Sequence, residues 1–386
     1  MINTKNIKTF LVGGAVRDQI IGVPVKDRDW VVVGATVQDM IDAGFSQVGK
    51  DFPVFLHPET GEEHALARKE RTTGGAHDEF EFNVDPSVTL EEDLVRRDCT
   101  MNAIAMDDTG NFIDPFGGVA DIKNKIIRHT SDAFKEDPVR ILRVARFFAR
   151  FGHLGFKIAP ETIELMTDMV SNGDVEHLVP ERVWQEMEGA LGERSPMLFV
   201  LTMALVKAWA DVCPELEEVA DNFFFSGIDF NSLCSHDMEK PVRMAVLCKD
   251  LTLDEVNGLV MRLKLPNEFS ELLLSCVCVT PKIKHSTGCN DSTVILNTIK
   301  LMDFRRNPEK VETLLRVGEL TGQLFGQGNF IRLIVQRLLD IDEGGVAKAT
   351  SDPKNIPDAI NSARLKAIDE LMQELKIDSN QQIIAN

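Results

Sequence analysis

Asp27 and Asp29 stand two residues apart at the mouth of an apolar run in VPVKDRDWVVVG, residues 23–34. On a strand, that spacing points both carboxylates to one face. Two like charges ~4 Å apart repel by roughly 4 kcal/mol at an effective dielectric near 20. Such a pair is either a solvated strand end or the seat of a cation. Just upstream, LVGGAVRD (residues 11–18) runs from a strand through Gly13 and Gly14 into a helix. Glycine lets backbone approach a ligand closely, and a helix N-terminus offers free N–H groups to an anion. Arg17, one turn in, is placed to add a charged fork to a phosphate. A phosphate-holding turn followed by two carboxylates on the next strand fits a nucleoside triphosphate with Mg²⁺, which takes carboxylate and phosphate oxygens together. Two such ions can clamp the attacking and leaving oxygens of a phosphoryl displacement. A cation between Asp27 and Asp29 turns their repulsion into attraction.

These residues need a scaffold, and the N-terminal third supplies one. KTFLVGG, DWVVVG, FPVFLHP and EEHALARKE read as strands, the last two joined by the turn ETGE, and AVRDQIIG and VQDMIDAGF read as helices. The expectation is an α+β fold, a mixed sheet with helices, over residues 1–131. Residues 69–92 break the pattern with Gly-Gly and mixed polarity, so they read as a long functional loop. From Asp132 onward helical periodicity takes over, beginning with SDAFKEDPVRILRVARFFARF read as one helix. Pro160 and Pro180 sit where a first helical turn accepts proline. A helical neck is expected over 132–215, a helical body and tail over 216–376, and a frayed end over 377–386.

Composition narrows the class. The chain has 386 residues, enough for more than one core, and no apolar run long enough to span a bilayer. Its seven cysteines are scattered, with no CxxC pair, which suggests reduced thiols in a cytoplasmic protein without zinc. A net charge of −19 argues against a nucleic-acid partner on average. Residues 123–150 reverse that balance, with eight Lys/Arg against three acids, and form a basic stripe able to meet a polyanion.

Five segments, in order over residues 1–190, resemble the bacterial class II CCA-adding enzymes, tRNA nucleotidyltransferases of the polymerase β-like superfamily. GGAVRDQIIGVPVKDRD resembles the opening signature, with Asp27 and Asp29 as metal-binding catalytic carboxylates. RRDCTMNA (96–103) is similar to the segment whose Arg97, Asp98 and Asn102 hold the ribose. DPFGGVAD (114–121) resembles an element coupling head to neck. EDPVRILRVARF (136–147) resembles the base-selecting helix, with Asp137, Arg140, Arg143 and Arg146 at the nucleotide. VPERVWQE (179–186) resembles a supporting helix carrying Glu181 and Arg182, and Glu136 is a further supporting residue. The resemblance implies a polymerase β-like head followed by an all-helical neck, body and tail. It implies template-independent addition of C, C and A to tRNA from CTP and ATP with Mg²⁺, and the tRNA acceptor and T arms as partners, with no DNA and no membrane. A long loop at 69–92 implies full CCA rather than CC addition.

Base selection can be argued from donors and acceptors. An ionised Asp only accepts hydrogen bonds and an Arg only donates them. Cytosine and adenine each show an amino donor beside a ring-nitrogen acceptor; uracil and guanine invert that order. Asp137 with Arg140, neighbours at i and i+3, therefore matches C and A without a template. The same helix also reads as amphipathic, with Asp137 as an N-cap. Glu63 in EEHALARKE is the candidate third carboxylate, unless it lies on a solvated face. Beyond about residue 215 the resemblance fades. Lys249 in VLCKDLTLDE stands where a His-Asp phosphohydrolase would have its His, so that chemistry is not expected. Two rivals stay open: an A-only adder or poly(A) polymerase of the same superfamily, and a non-catalytic tRNA-binding protein.

Overall fold

A computed structural model describes residues 7–48, 54–72, 80–83, 85–219, 221–222, 230, 235, 237–289 and 291–384, with backbone alone at 70–72, 80–83 and 376–384. The chain forms two compact units, Met1–Pro214 and Glu215–Asn386. Head and neck therefore belong to one unit, and each unit is described by itself.

The first unit is built on a seven-stranded mixed sheet of order β3 (Ser46–Val48), β4 (Val54–Leu56), β5, β2, β1, β8 (Ala105–Met106), β9 (Phe112–Ile113). Its centre is β1 (Lys8–Val12) antiparallel to β2 (Asp29–Val33), with β2 parallel to β5 (Glu63–Leu66). β-Branched valines at 31–33 suit this pleated, buried position, and their alternation feeds both faces. Val31 joins Val12, Val88, Leu94 and Ala105 on one side, whereas Val32 joins Met40, Phe45, Phe55 and Leu66 on the other. The first side faces α3 (Leu90–Leu94), whose Thr89 cap forms a capping box with Glu92. α1 (Gly14–Ile21) leaves β1 through Gly13, at φ 67°, a backbone conformation natural to glycine.

Residues 69–92 are not a plain loop. β6 (Lys69–Thr72) and β7 (Phe80–Asn83) pair antiparallel, Lys69 opposite Asn83, and α3 begins at Leu90. The tip, 73–79, lies outside the described residues. The alternation in FEFN signals this strand, and the flanking glycines hid it.

The neck holds α5 (Val139–Phe151), α6 (Pro160–Ser171) and α7 (Pro180–Leu191), the last two opening on proline as expected. The helix expected from residue 131 is divided: Asp132–Glu136 is a 3₁₀ turn, Asp137 is extended (φ −134°, ψ 100°), and α5 begins only at Val139. Pro138 accounts for the break, because a residue before proline is pushed out of the helical region. Along α5 the residues Ile141, Leu142, Val144, Ala145 and Ala149 are buried, which turns Arg143 and Arg146 to the opposite side.

DPFGGVAD locks the 3₁₀ turn Thr100–Asn102 to α4 (Gly118–Asn124). Asp114 accepts hydrogen bonds from the Gly118 and Val119 N–H groups, 2.7 and 2.9 Å. A Cβ at Gly118 would lie 2.1 Å from the Thr100 carbonyl oxygen, so only glycine allows this approach. The second unit is helical, with a core that includes Ile283, Ile299, Leu315, Leu324, Ile331, Ile334 and Ile368. No helix among the described residues is long and apolar enough to cross a membrane.

Candidate active site

The strand register brings three of the expected residues to one corner. Val12 lies opposite Asp29 across the β1–β2 pair, so the Gly13–Gly14 turn begins beside the Asp29 carboxylate. On the other flank Glu63 of β5 pairs with Asp29 in parallel register. Adjacent strands are ~4.8 Å apart and paired residues share a face, so Glu63 projects beside Asp29. Asp27 lies in the extended approach to β2 rather than on the strand itself. Asp27, Asp29 and Glu63 are open to solvent, and none has an ion-pair partner among the described residues.

Although Asp29 is solvent-accessible, the walls around it desolvate its carboxyl enough to raise its pKa; Arg97 opposes that and Asp27 adds to it. Adjacent unpaired carboxylates are a donor set that a hard divalent cation would satisfy. No ready cage of three or more His, Cys, Asp or Glu is present among the described residues. That suits a cation completing its shell with phosphate oxygens and water.

The cleft in front of this corner holds about 1000 Å³. Gly13, Gly14, Asp27, Asp29 and Glu63 line it, as do Arg97, Asp98, Asn102, Asp137, Arg140, Arg143, Arg146, Arg182 and Glu186. The structure thus gathers nearly all of the expected site residues around one cavity whose walls are rich in arginine. An acidic protein here carries a locally basic cleft.

Arg96 and Arg97 are held by an acid that sequence reasoning overlooked. Asp93, fully buried, accepts from Arg96 Nη2 at 2.6 Å and Arg97 Nη2 at 3.1 Å. Burial works against its ionisation, but Arg97 and Arg96 prevail and hold the carboxyl below its ordinary value. Arg97 reaches Gly13: a Cβ there would sit 3.0 Å from Arg97 Nη1. Arg97, expected at the ribose, therefore stands at the glycine turn, close enough to Asp29 to act on its carboxyl.

Asp98 and Asn102 are both 6% exposed and bonded to each other, Nδ2 to Oδ1, at 2.8 Å. Asp98 Oδ1 also accepts from the Cys99 N–H, and Oδ2 from Arg143 Nε, each at 2.7 Å. Burial disfavours the carboxylate, yet Arg143 and these hydrogen bonds prevail and bring its pKa down to about 2. The Asp98 charge in turn raises the Arg143 pKa. Glu186 of α7 is the second missed acid: 7% exposed, it accepts from Arg146 Nε at 2.5 Å and lies 3.6 Å from Arg143 Nη1.

At the far end, Asp137 Oδ2 accepts from Arg182 Nη2 at 2.7 Å, and Oδ1 from the Val139 N–H at 3.2 Å. The second bond gives Asp137 the capping role read from the sequence, and the first joins α5 to α7. Arg140, 6% exposed, donates from Nη1 to the Ala133 carbonyl at 2.5 Å. Glu136 and Glu181 each have a partner as well.

Arg17, expected as a phosphate fork, also lines the cleft, with its Nη2 3.4 Å from where a Cβ on Gly14 would stand. It is 4% exposed, donates Nε to Asp18 Oδ1 at 2.8 Å, and donates Nη1 to Asn102 Oδ1 at 2.7 Å.

Comparison with known proteins decides the family. The chain is 41% identical to a protein named "Multifunctional CCA protein" from Thioalkalivibrio sulfidiphilus, over 95% of this chain and 99% of the relative. The chain belongs to the multifunctional CCA protein family. A namesake from Teredinibacter turnerae is also 41% identical, over 94% of this chain and 97% of its own. The Poly A polymerase head domain family matches residues 9–128. The fold is that of solved CCA-adding enzymes. An apo form aligns with a TM-score of 0.70 over 97% of this chain and 93% of its own, at 22% identity. The Bacillus stearothermophilus CCA-adding enzyme in complex with CTP aligns at 0.68 over 100% and 96%, also at 22%. An α+β head followed by a helical remainder is therefore the architecture of the family.

Proposed function

We propose that this enzyme adds C, C and A to the 3′ end of tRNA, using CTP and ATP without a nucleic-acid template and releasing pyrophosphate. The observation that carries the reading is the sharing of one cleft by the carboxylates at β2 and the anchored Asp137–Arg140 pair. One set of groups suits phosphoryl transfer, and the other suits the C and A pairing edge.

Asp27 and Asp29, with Glu63 beside them in register, would hold Mg²⁺. Bound there, the metal supplies charge to polarise the phosphoryl oxygens and to lower the pKa of the attacking hydroxyl. The Gly13–Gly14 turn and the α1 N-terminus bind the triphosphate through backbone N–H groups, and Arg97 adds charge beside them. Asp98 and Asn102 face the ribose, with Arg143 fixing Asp98. Asp137 presents a carboxylate whose orientation Arg182 sets. A carboxylate has about four acceptor sites, so the two bonds it already makes leave capacity for a base amino group. Arg140 donates to the ring nitrogen. The helical unit from Glu215 onward binds the acceptor and T arms of tRNA by shape and phosphate contacts. Head over 1–131, neck to 215 and body and tail to 376 remain the working division, and the cytoplasm the assigned compartment, in keeping with the absence of a disulfide among the described cysteines.

Extension of tRNA that stops at the discriminator base, with each labelled nucleotide in turn, tests the reading. C, C and A should be added and U and G refused. Long A tails would indicate a poly(A) polymerase instead, and tRNA binding without incorporation a non-catalytic protein.

A further inference from the structure

The basic stripe over 123–150 is only partly absorbed by the cleft. Arg128 answers Asp121, Lys135 answers Asp132, Arg143 answers Asp98, Arg146 answers Glu186 and Arg150 answers Asp18. Arg140 lines the cleft itself. Lys123 and Lys125, at the end of α4, are exposed and have no acid partner among the described residues.

The fold brings two further cations of the same kind beside them. β10 (Ile126–Ile127) pairs in parallel with β11 (Lys157–Ile158), and the Lys157 N–H donates to the Lys125 carbonyl at 2.9 Å. Lys125, held at φ 59°, donates from Nζ to the Leu154 carbonyl at 2.6 Å, a neutral acceptor that leaves its charge uncompensated. The Ser195 N–H donates to the Ala149 carbonyl at 3.0 Å, which sets the exposed Arg194 against the end of α5, where His153 and Leu154 follow. Lys157 and Arg194 also lack an acid partner among the described residues. The acids close by are turned inward. Asp121 is 8% exposed and takes Thr100 Oγ1 and Arg128, and the half-buried Glu193 lies beside Arg150 and Arg146. One solvated lysine needs no explanation. Four uncompensated cations from three separate segments, in a chain of net charge −19, make a local field that favours a polyanion. The patch begins one helical turn beyond Arg150, the last α5 residue to line the cleft.

We propose that Lys123, Lys125, Lys157 and Arg194 form a phosphate-binding ridge outside the cleft, holding the backbone of the tRNA whose 3′ end enters that cleft. This rests on the tRNA substrate proposed above, and it gives the first unit a hold on tRNA of its own. Such contacts go to phosphates rather than bases, so they are blind to sequence and sensitive to salt.

The test is a Lys123→Gln/Lys157→Gln/Arg194→Gln variant, with Lys125 kept because it also holds the Leu154 carbonyl. Filter retention of tRNA lacking its CCA end is measured over a salt series, alongside the KM for CTP at saturating tRNA. Each lost phosphate contact should remove roughly 0.7–0.9 from the slope of log affinity against log salt, so three remove about 2. Affinity near physiological salt should fall at least about tenfold, while the KM for CTP stays within about twofold. Should the triple variant not fold, Lys123→Gln/Lys157→Gln carries the comparison, with a slope loss of about 1.5. Unchanged tRNA affinity with an unchanged slope would overturn the inference. So would a raised KM for CTP with tRNA affinity intact, because the cations would then serve the cleft. Weaker retention on heparin with tRNA binding unchanged would give the ridge to another polyanion and overturn it too. A wild-type enzyme that neither binds nor extends tRNA would instead remove the proposed substrate, and the inference with it.

Discussion

Replacing Asp137 by asparagine removes a charge but almost no volume, so its consequences report on hydrogen bonding. In the native site one carboxylate oxygen takes the Val139 N–H at 3.2 Å and the other takes Arg182 at 2.7 Å. An amide has one acceptor atom and one donor group. Whichever way the substituted amide turns, its NH₂ meets either the helix-start N–H or the Arg182 guanidinium. The edge offered to the base loses its all-acceptor character, and discrimination against the inverted uracil edge should go with it. A hydrogen bond to a charged partner is worth ~1.5–3 kcal/mol, and ~1.4 kcal/mol is a factor of ten. The CTP-over-UTP ratio of kcat/KM should therefore fall roughly 10- to 140-fold. Single-nucleotide extension of tRNA lacking its CCA end, under steady-state conditions, measures that ratio. A uniform loss of kcat with an unchanged CTP:UTP preference would refute the base-edge argument.

Four further outcomes follow from the geometry. Asp29→Asn should reduce nucleotide addition by at least about a thousandfold, the scale of losing a transition-state electrostatic group, while tRNA retention on a filter stays near wild type. Gly13→Ala meets both a positive φ of 67° and Arg97 Nη1 at 3.0 Å; backbone strain of ~1–2 kcal/mol should appear as a lower Tm and a raised KM for CTP. Gly118→Ala would push a Cβ to 2.1 Å from the Thr100 carbonyl, so expression in folded form should drop and the Tm of any soluble protein should fall by several degrees, on the order of 1–3 kcal/mol of overpacking. Asp98 is buried and its pKa is brought from 3.8 to about 2; at ~1.4 kcal/mol per unit it contributes about 2 kcal/mol that is fully present above pH 3.8 and lost as the pH falls through 2. The acid limb of thermal melts should consequently be shallower for Asp98→Asn than for the wild type between pH 4 and 2.

The sequence exposes groups whose chemistry works by being unusual, and conceals those that work by being satisfied. DRD before three valines stands out because it breaks an apolar pattern, and the register of Val12 and Glu63 with Asp29 explains why the break is tolerated. Pro160 and Pro180 mark their helix starts because proline there has no competing reading. Asp93 and Glu186 look in sequence like ordinary solvated acids, yet each is buried among arginines. A spacing signal was available for Asp93, which precedes Arg96 and Arg97 by three and four residues. For Glu186 there was none, because its partners lie 40 and 43 positions away on another helix. Arg17 shows the same limit from the other side: its place beside the glycine turn suggests a phosphate contact, and only the aromatic walls of α5 reveal its burial.

The most direct test of the account is a sequencing-gel readout of the product formed from discriminator-ended tRNA, CTP, ATP and Mg²⁺. The account predicts a product three nucleotides longer, ending in CCA, and no such product from Asp27→Ala. A ladder of many A residues, or undiminished extension by Asp27→Ala, would contradict it.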